Sequence, residues 1–151
     1  MNEEILGKIY KYCAYQDRSR LEITEKLIEL GLEEEKIEPM MQHLKEERFW
    51  DEERFARSFA RGKFSIKRWG RQKIRHELKA KKVPIDLIEL AIDQEIEKED
   101  YLKSLTFLTE KKFADLKRKN SYENRGKLYR FLHQKGYESD LIYEAITTVT
   151  H

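Results

Sequence analysis

The sequence predicts an all-α fold made of three tandem three-helix repeats. Three observations carry this expectation. Apolar residues recur at helical spacing nearly everywhere, and strand-like alternation is almost absent. Only six Gly and two Pro occur in 151 residues, which leaves room for long helices and few irregular loops. Finally, the apolar pattern repeats. With Gly31, Lys82 and Gly136 taken as equivalent, Ile23, Ile74 and Leu128 stand eight residues earlier, and Leu27, Leu78 and Leu132 four earlier. Leu32, Val83 and Tyr137 follow directly; Ile37, Ile88 and Ile142 come six later.

The elements follow in order. In the first repeat, Ile5, Ile9, Tyr12 and Cys13 form one helical stripe, and Ser19 opens the next helix with Glu22 completing a capping box. Gly31 ends that helix at a position suited to a left-handed residue, and Ile37, Met40 and Met41 mark the third helix. In the second repeat, Asp51 caps a helix bearing Phe55, Ala56, Phe59 and Ala60; Gly70 opens the next, and Val83-Pro84 follows its end. In the third, Tyr101, Leu102, Leu105, Leu108 and Phe113 line a seam, Asn124 is the expected N-cap, and Gly136 ends the middle helix. The expected repeats are 1–50, 51–97 and 98–151. A three-helix unit of about 50 residues buries little alone, so stacking into an elongated, curved molecule is expected.

Composition narrows the function. Charged residues make up 40% and mean hydropathy is −0.85, yet 39% hydrophobic and 11% aromatic residues suffice for a core. Cys13 is the lone cysteine, which excludes an internal disulfide and a cysteine-based metal site. The start, MNEEILGKIYKY, lacks the pattern of a secretory signal, and no run is long enough for a membrane span. The expectation is a soluble, cytoplasmic monomer with no membrane association.

The net charge of +2 hides a strong asymmetry. Lys and Arg against Asp and Glu number 8 and 12 in residues 1–50, 12 and 4 in 51–82, and 11 and 13 in 83–151. The repeat provides an internal control. Four equivalent positions on the middle helix read Arg71, Arg75, Lys79, Lys82 in the second repeat, Arg20, Thr24, Ile28, Gly31 in the first, and Arg125, Tyr129, His133, Gly136 in the third. Such a row lies along one side of a helix, and like charges at this spacing cost about 0.2–0.5 kcal/mol each. Because the outer copies lack the row, it reads as a binding feature rather than a folding one. Arg57, Arg61, Lys63, Lys67, Arg68 and Lys73 join it. Glu53 can pair with Arg57; nothing in the local sequence pairs with Arg61. The expected ligand is a polyanion bound with strong salt dependence and little sequence preference.

The stretch "WDEERFARSFARGKFSIKRWGRQKIRHELKAKKV" resembles the signature of the RecX family, bacterial regulators of the RecA recombinase. The matching residues are Asp51, Arg54, Phe55 and Ala56, then Gly70, Lys73, Ile74, Glu77 and Leu78. Lys82 departs from the family, which typically has Gly there, so the end of that helix needs explanation. The resemblance implies a non-catalytic protein with three three-helix repeats and no cofactor. It implies binding to the RecA–single-stranded-DNA filament, in its helical groove, limiting filament extension, strand exchange and repressor cleavage.

Other residues add less. Trp50 and Trp69 bracket a helix of the second repeat; burial is the ordinary fate of such residues, and Trp69, set among cations, is the better candidate for stacking on a base. His43, His76, His133 and His151 lack metal-ligand spacing, and Cys13 reads as a buried thiol. Tyr129 and His133 are open to packing or partner contact. No phosphate-binding loop, HExxH or other catalytic constellation is present. The alternative reading is a sequence-nonspecific DNA-binding helical module without recombinase specificity. A base-reading module would favour Asn or Gln on its exposed helix, where Gln72 stands alone.

Overall fold

Several helices begin where a side chain offers an acceptor for the first N–H groups, whereas those that start at Ile37, Lys98 and Ser139 do so without one. The structure, a computed structural model, describes residues 2–151. The Asn2 side chain accepts from the amides of Glu4 and Ile5 and opens α1 (Glu3–Tyr15). Ser19 and Glu22 form the expected capping box of α2 (Arg20–Glu29), at 3.1 and 2.9 Å. A short 3-10 turn, Glu34–Lys36, leads into α3 (Ile37–Glu46). Asp51 accepts from Arg54 N at 3.0 Å and opens α4 (Glu52–Ser65), followed by α5 (Arg71–Ala80) and α6 (Ile85–Glu95). Then come α7 (Lys98–Asp115), α8 (Tyr122–Lys135) and α9 (Ser139–Val149). Among the described residues there is no strand, and the nine helices form the all-α, three-repeat architecture that the sequence predicts.

The repeat is visible in the hydrogen bonds. Leu32 N, Val83 N and Tyr137 N each reach back five residues, to the carbonyls of Leu27, Leu78 and Leu132 at 3.0, 3.1 and 3.2 Å. Each follows a residue in the left-handed region: Gly31 at φ 95°, Lys82 at φ 60° and Gly136 at φ 101°. Lys82 thus takes the glycine slot without changing how the helix ends.

Two expectations are corrected. Ser121, not Asn124, caps α8: Ser121 Oγ accepts from Asn124 N at 3.1 Å, so the helix starts earlier. A serine hydroxyl reaches the third helical amide as well as an Asn does, and the Asn124 side chain instead donates to the Lys119 carbonyl at 2.9 Å. Leu102 is 37% exposed, whereas Tyr101, Leu105, Leu108 and Phe113 are buried. One residue further along a helix is about 100° off the buried stripe.

The chain divides into two compact units, one comprising residues up to Phe59 with Leu78–Ala91, the other Ala60–Glu77 with Ile92–His151. In the first, α1, α2 and α3 enclose Ile5, Ile9, Ile23, Leu27, Met40, Met41 and Leu44. Burying side chains of this size stabilises by about 1.5–3 kcal/mol each. Arg54 pairs with Asp17 at 2.7 Å, Lys81 with Glu22 at 3.3 Å, and Tyr10 shares a 2.6 Å hydrogen bond with His43. Cys13 is buried, as expected. In the second unit, α7, α8 and α9 pack on one another around Tyr101, Leu105, Leu108, Leu128, Leu132, Ile142 and Ile146. No helix among the described residues is long and apolar enough to cross a membrane.

Candidate nucleic-acid interface

The first amides of α5 have no side-chain cap of their own, because Gly70 precedes them. Their acceptors come from the third repeat. Gly70 N donates to the Lys135 carbonyl at 2.7 Å, Gln72 N to the Gly136 carbonyl at 2.9 Å, and Arg71 N to the Tyr101 hydroxyl at 2.9 Å. The carbonyl end of α8 thereby meets the amide end of α5, which satisfies orphan groups at both ends and opposes their dipoles favourably. The approach needs glycine on both sides: a Cβ on Gly70 would lie 2.3 Å from Gly136 C, and one on Gly136 2.4 Å from Lys73 Cβ.

Two buried tyrosines hold the turn before α5. Tyr137 has one hydroxyl proton and gives it to the Arg68 carbonyl at 2.9 Å, so Ser104 Oγ, 2.9 Å away, is the donor to Tyr137. The Arg68 guanidinium reaches Ser104 Oγ at 3.4 Å and lies 4.0 Å from the Phe107 ring centroid. Tyr101 donates to one Glu138 oxygen, and Arg71 Nη1 donates to the other at 2.9 Å while its guanidinium sits 3.9 Å from the Tyr101 ring centroid. Burial, with the Glu138 hydrogen bond second, raises the Tyr101 pKa; burial likewise raises that of Tyr137.

The predicted cations therefore separate by role. Arg71 is held by Glu138 and Tyr101, so the expectation that folding makes no use of its charge is corrected. Its partner lies 67 residues away in the chain and could not be seen locally. Arg61 also has a partner that local sequence hides, Glu95 at 2.7 Å. Arg57 pairs with Glu53 at 3.7 Å, as the spacing suggested. Arg75 reaches Gln72 Oε1 at 3.2 Å. Lys79 and Lys82 belong to the first unit and are exposed.

Around Trp69 the cations gather. The half-buried indole has the Lys63 and Lys73 ammonium groups 4.9 and 4.5 Å from its ring centroid. Lys67 is exposed beside it, and Lys135, which sequence reasoning missed, donates to the Lys67 carbonyl at 3.4 Å. The left-handed conformation of Arg68, φ 57°, forms the corner of the turn. Two ammonium groups on one ring gain quadrupole attraction but repel each other. A phosphate group placed there would relieve the repulsion, and the indole offers an aromatic face. Among the described residues no group of three or more His, Cys, Asp or Glu is placed to hold a metal ion.

Known proteins resemble this chain in sequence and in structure. The model of the RecX second three-helix domain matches residues 51–92, and that of the RecX third three-helix domain matches 99–146. Regulatory protein RecX of Clostridium botulinum (strain Alaska E43 / Type E3) is 37% identical over 134 residues, covering 85% of this chain and 60% of the relative. The RecX of Vibrio campbellii is 33% identical over 132 residues, covering 87% of this chain and 83% of the relative. A crystal structure of regulatory protein RecX superposes with TM-score 0.82 at 26% identity, over 95% of this chain and 72% of that one. RecX from Lactobacillus salivarius shares the fold, with TM-score 0.83 at 22% identity over 98% of both chains. This chain thus spans about 60% of the length of the clostridial relative and most of the others. With two three-helix domains matched in tandem and a 33% identical relative covered over most of its length, the chain belongs to the RecX family.

Proposed function

We propose that the chain is a regulator of a RecA-type recombinase. It binds the recombinase–single-stranded-DNA filament in its helical groove and limits filament extension, strand exchange and repressor cleavage. Membership of a family whose relatives are named regulatory proteins supports the regulatory part. The observation that carries the DNA contact is the placement of Lys63 and Lys73 on Trp69, with Lys67 exposed alongside. Ammonium groups suit phosphates of any sequence, and an indole suits an unstacked base of any identity. Lys79 and Lys82, both exposed, are further candidates for phosphate contact; Arg57, Arg61, Arg71 and Arg75 serve as reserve or framework cations.

The test is recombinase ATP hydrolysis on single-stranded DNA, titrated with wild type and with a Lys63→Glu/Lys67→Glu/Lys73→Glu variant. Arg71 is left intact, because losing it would open the Glu138 network. The expected result is a rise of about tenfold or more in the concentration needed for inhibition. Undiminished inhibition by a folded variant would refute the role of the turn. A wild-type chain that binds DNA but neither inhibits nor co-precipitates with the recombinase would instead favour the plain DNA-binding module.

A further inference from the structure

The groove between α8 and α9 has a chemistry that its counterpart in the first repeat lacks. It has a volume of about 660 Å³ and is lined by Tyr122, Tyr129, Tyr143, Arg125 and Arg130 among others. Tyr129 stacks on Tyr143 with centroids 5.2 Å apart and planes 25° apart, and on His133 at 5.6 Å and 17°. The Tyr129 hydroxyl and Ser139 Oγ share a 2.8 Å hydrogen bond, which fixes that ring. Tyr143 is 61% and Tyr122 88% exposed. The equivalent groove of the first repeat has Thr24, Ile28 and Glu38 where the third has Tyr129, His133 and Tyr143, and there Arg20 pairs with Glu38 across the groove. The scaffold therefore does not require the aromatic column.

We propose that this groove is a second nucleic-acid site, a platform on which unstacked bases of a single strand lie against Tyr143 and Tyr122 while Arg125 and Arg130 meet the phosphates. The Tyr143 ring, exposed yet held in a stack at low entropic cost, is what sequence-tolerant base stacking needs, and Tyr122 offers a second exposed ring beside it. The charge agrees: two arginines line the groove against Glu123, whose carboxylate is matched by Lys127 at 3.4 Å. The inference rests on the reading that the ligand is single-stranded DNA, but it uses none of the residues around Trp69.

The experiment compares binding of oligodeoxythymidylate and of an abasic phosphodiester strand of equal length, by fluorescence anisotropy over a range of salt. A Tyr129→Ala/Tyr143→Ala variant should lose about tenfold in affinity for the thymidylate strand and almost nothing for the abasic one, with the salt slope unchanged. Tyr143→Phe, which keeps the ring, should bind as wild type does. Circular dichroism checks folding, and Tyr143→Ala alone, at an exposed position, should give a smaller loss of the same kind. Equal losses on both strands, or no loss, would overturn the proposal. So would an unchanged affinity for DNA accompanied by lost binding to the recombinase, which would make the groove a protein-docking surface. A Lys67→Glu/Lys73→Glu variant should weaken binding to both strands and flatten the salt slope. If it does neither, the turn fails and this groove stands.

Discussion

Gly70 and Gly136 meet backbone to backbone, so closely that a methyl group on Gly70 would stand 2.3 Å from both the carbonyl carbon and oxygen of Gly136. Neither atom belongs to a side chain that could swing away. The same contact supplies acceptors for the amides of Gly70 and Gln72, so packing and hydrogen bonding fail together if it opens.

Gly70→Ala should therefore destabilise the chain by about 3 kcal/mol, at the upper end of overpacking costs. Gly7 lies within α1 with nothing near its Cβ position. Gly7→Ala should stabilise by about 1 kcal/mol through helix propensity. Urea denaturation of the two variants measures both, and a Gly70→Ala variant as stable as wild type would show that the contact is loose.

Lys82 holds φ 60° where the other two repeats use glycine. A side chain in the left-handed region costs about 1–2 kcal/mol, offset in part by the greater freedom of glycine in the unfolded state. Lys82→Gly should raise stability by about 0.5–1 kcal/mol in the same denaturation experiment. If it also weakens binding to single-stranded DNA, the lysine is kept at that position for its charge.

Tyr101→Phe should cost about 1–3 kcal/mol, because it strands the Arg71 amide and one Glu138 oxygen with little change in packing. A Tyr137→Phe substitution should behave similarly through the Arg68 carbonyl and Ser104. Thermal unfolding followed by circular dichroism would register both losses. A neutral result would place water at these groups.

Stability should fall as the solution becomes alkaline. Burial holds the Cys13 thiol up to about 11 and raises Tyr101 and Tyr137 as well. All three are neutral when protonated, so the folded chain keeps their protons to higher pH than the unfolded chain does. Their contribution is complete below the unfolded pKa, about 8.5 for a thiol, and declines as pH rises through the folded values. A pH series of denaturation midpoints should bend downward from about pH 9, and Cys13→Ala should flatten the first part of the bend. The wild-type thiol should also react slowly with alkylating agents at pH 8.

Local pattern was enough to read the helices, their three-fold repetition and the caps at Ser19 and Asp51, because these depend on residues three to eight positions apart. What escaped depends on distance in the chain. The carboxylates that meet Arg61, Arg71 and Lys81 come from Glu95, Glu138 and Glu22, between 34 and 67 positions away, so a segment with twelve cations and four acids looked more unbalanced than its surroundings leave it. Lys135 next to Lys67, and Tyr101 as the acceptor at the head of α5, were hidden for the same reason. The periodicity also placed Tyr129 and His133 at the positions of the row without revealing that Tyr143 completes their stack.

The dependence of α5 on Lys135 and Gly136 also bears on the order of synthesis. A nascent chain emerging from the ribosome carries Lys63, Lys67 and Lys73 long before the carbonyls that anchor Gly70 and Gln72 exist. Until residues 135 and 136 have left the ribosome, the amides of Gly70 and Gln72 lack these acceptors, and the turn between α4 and α5 lacks its anchor.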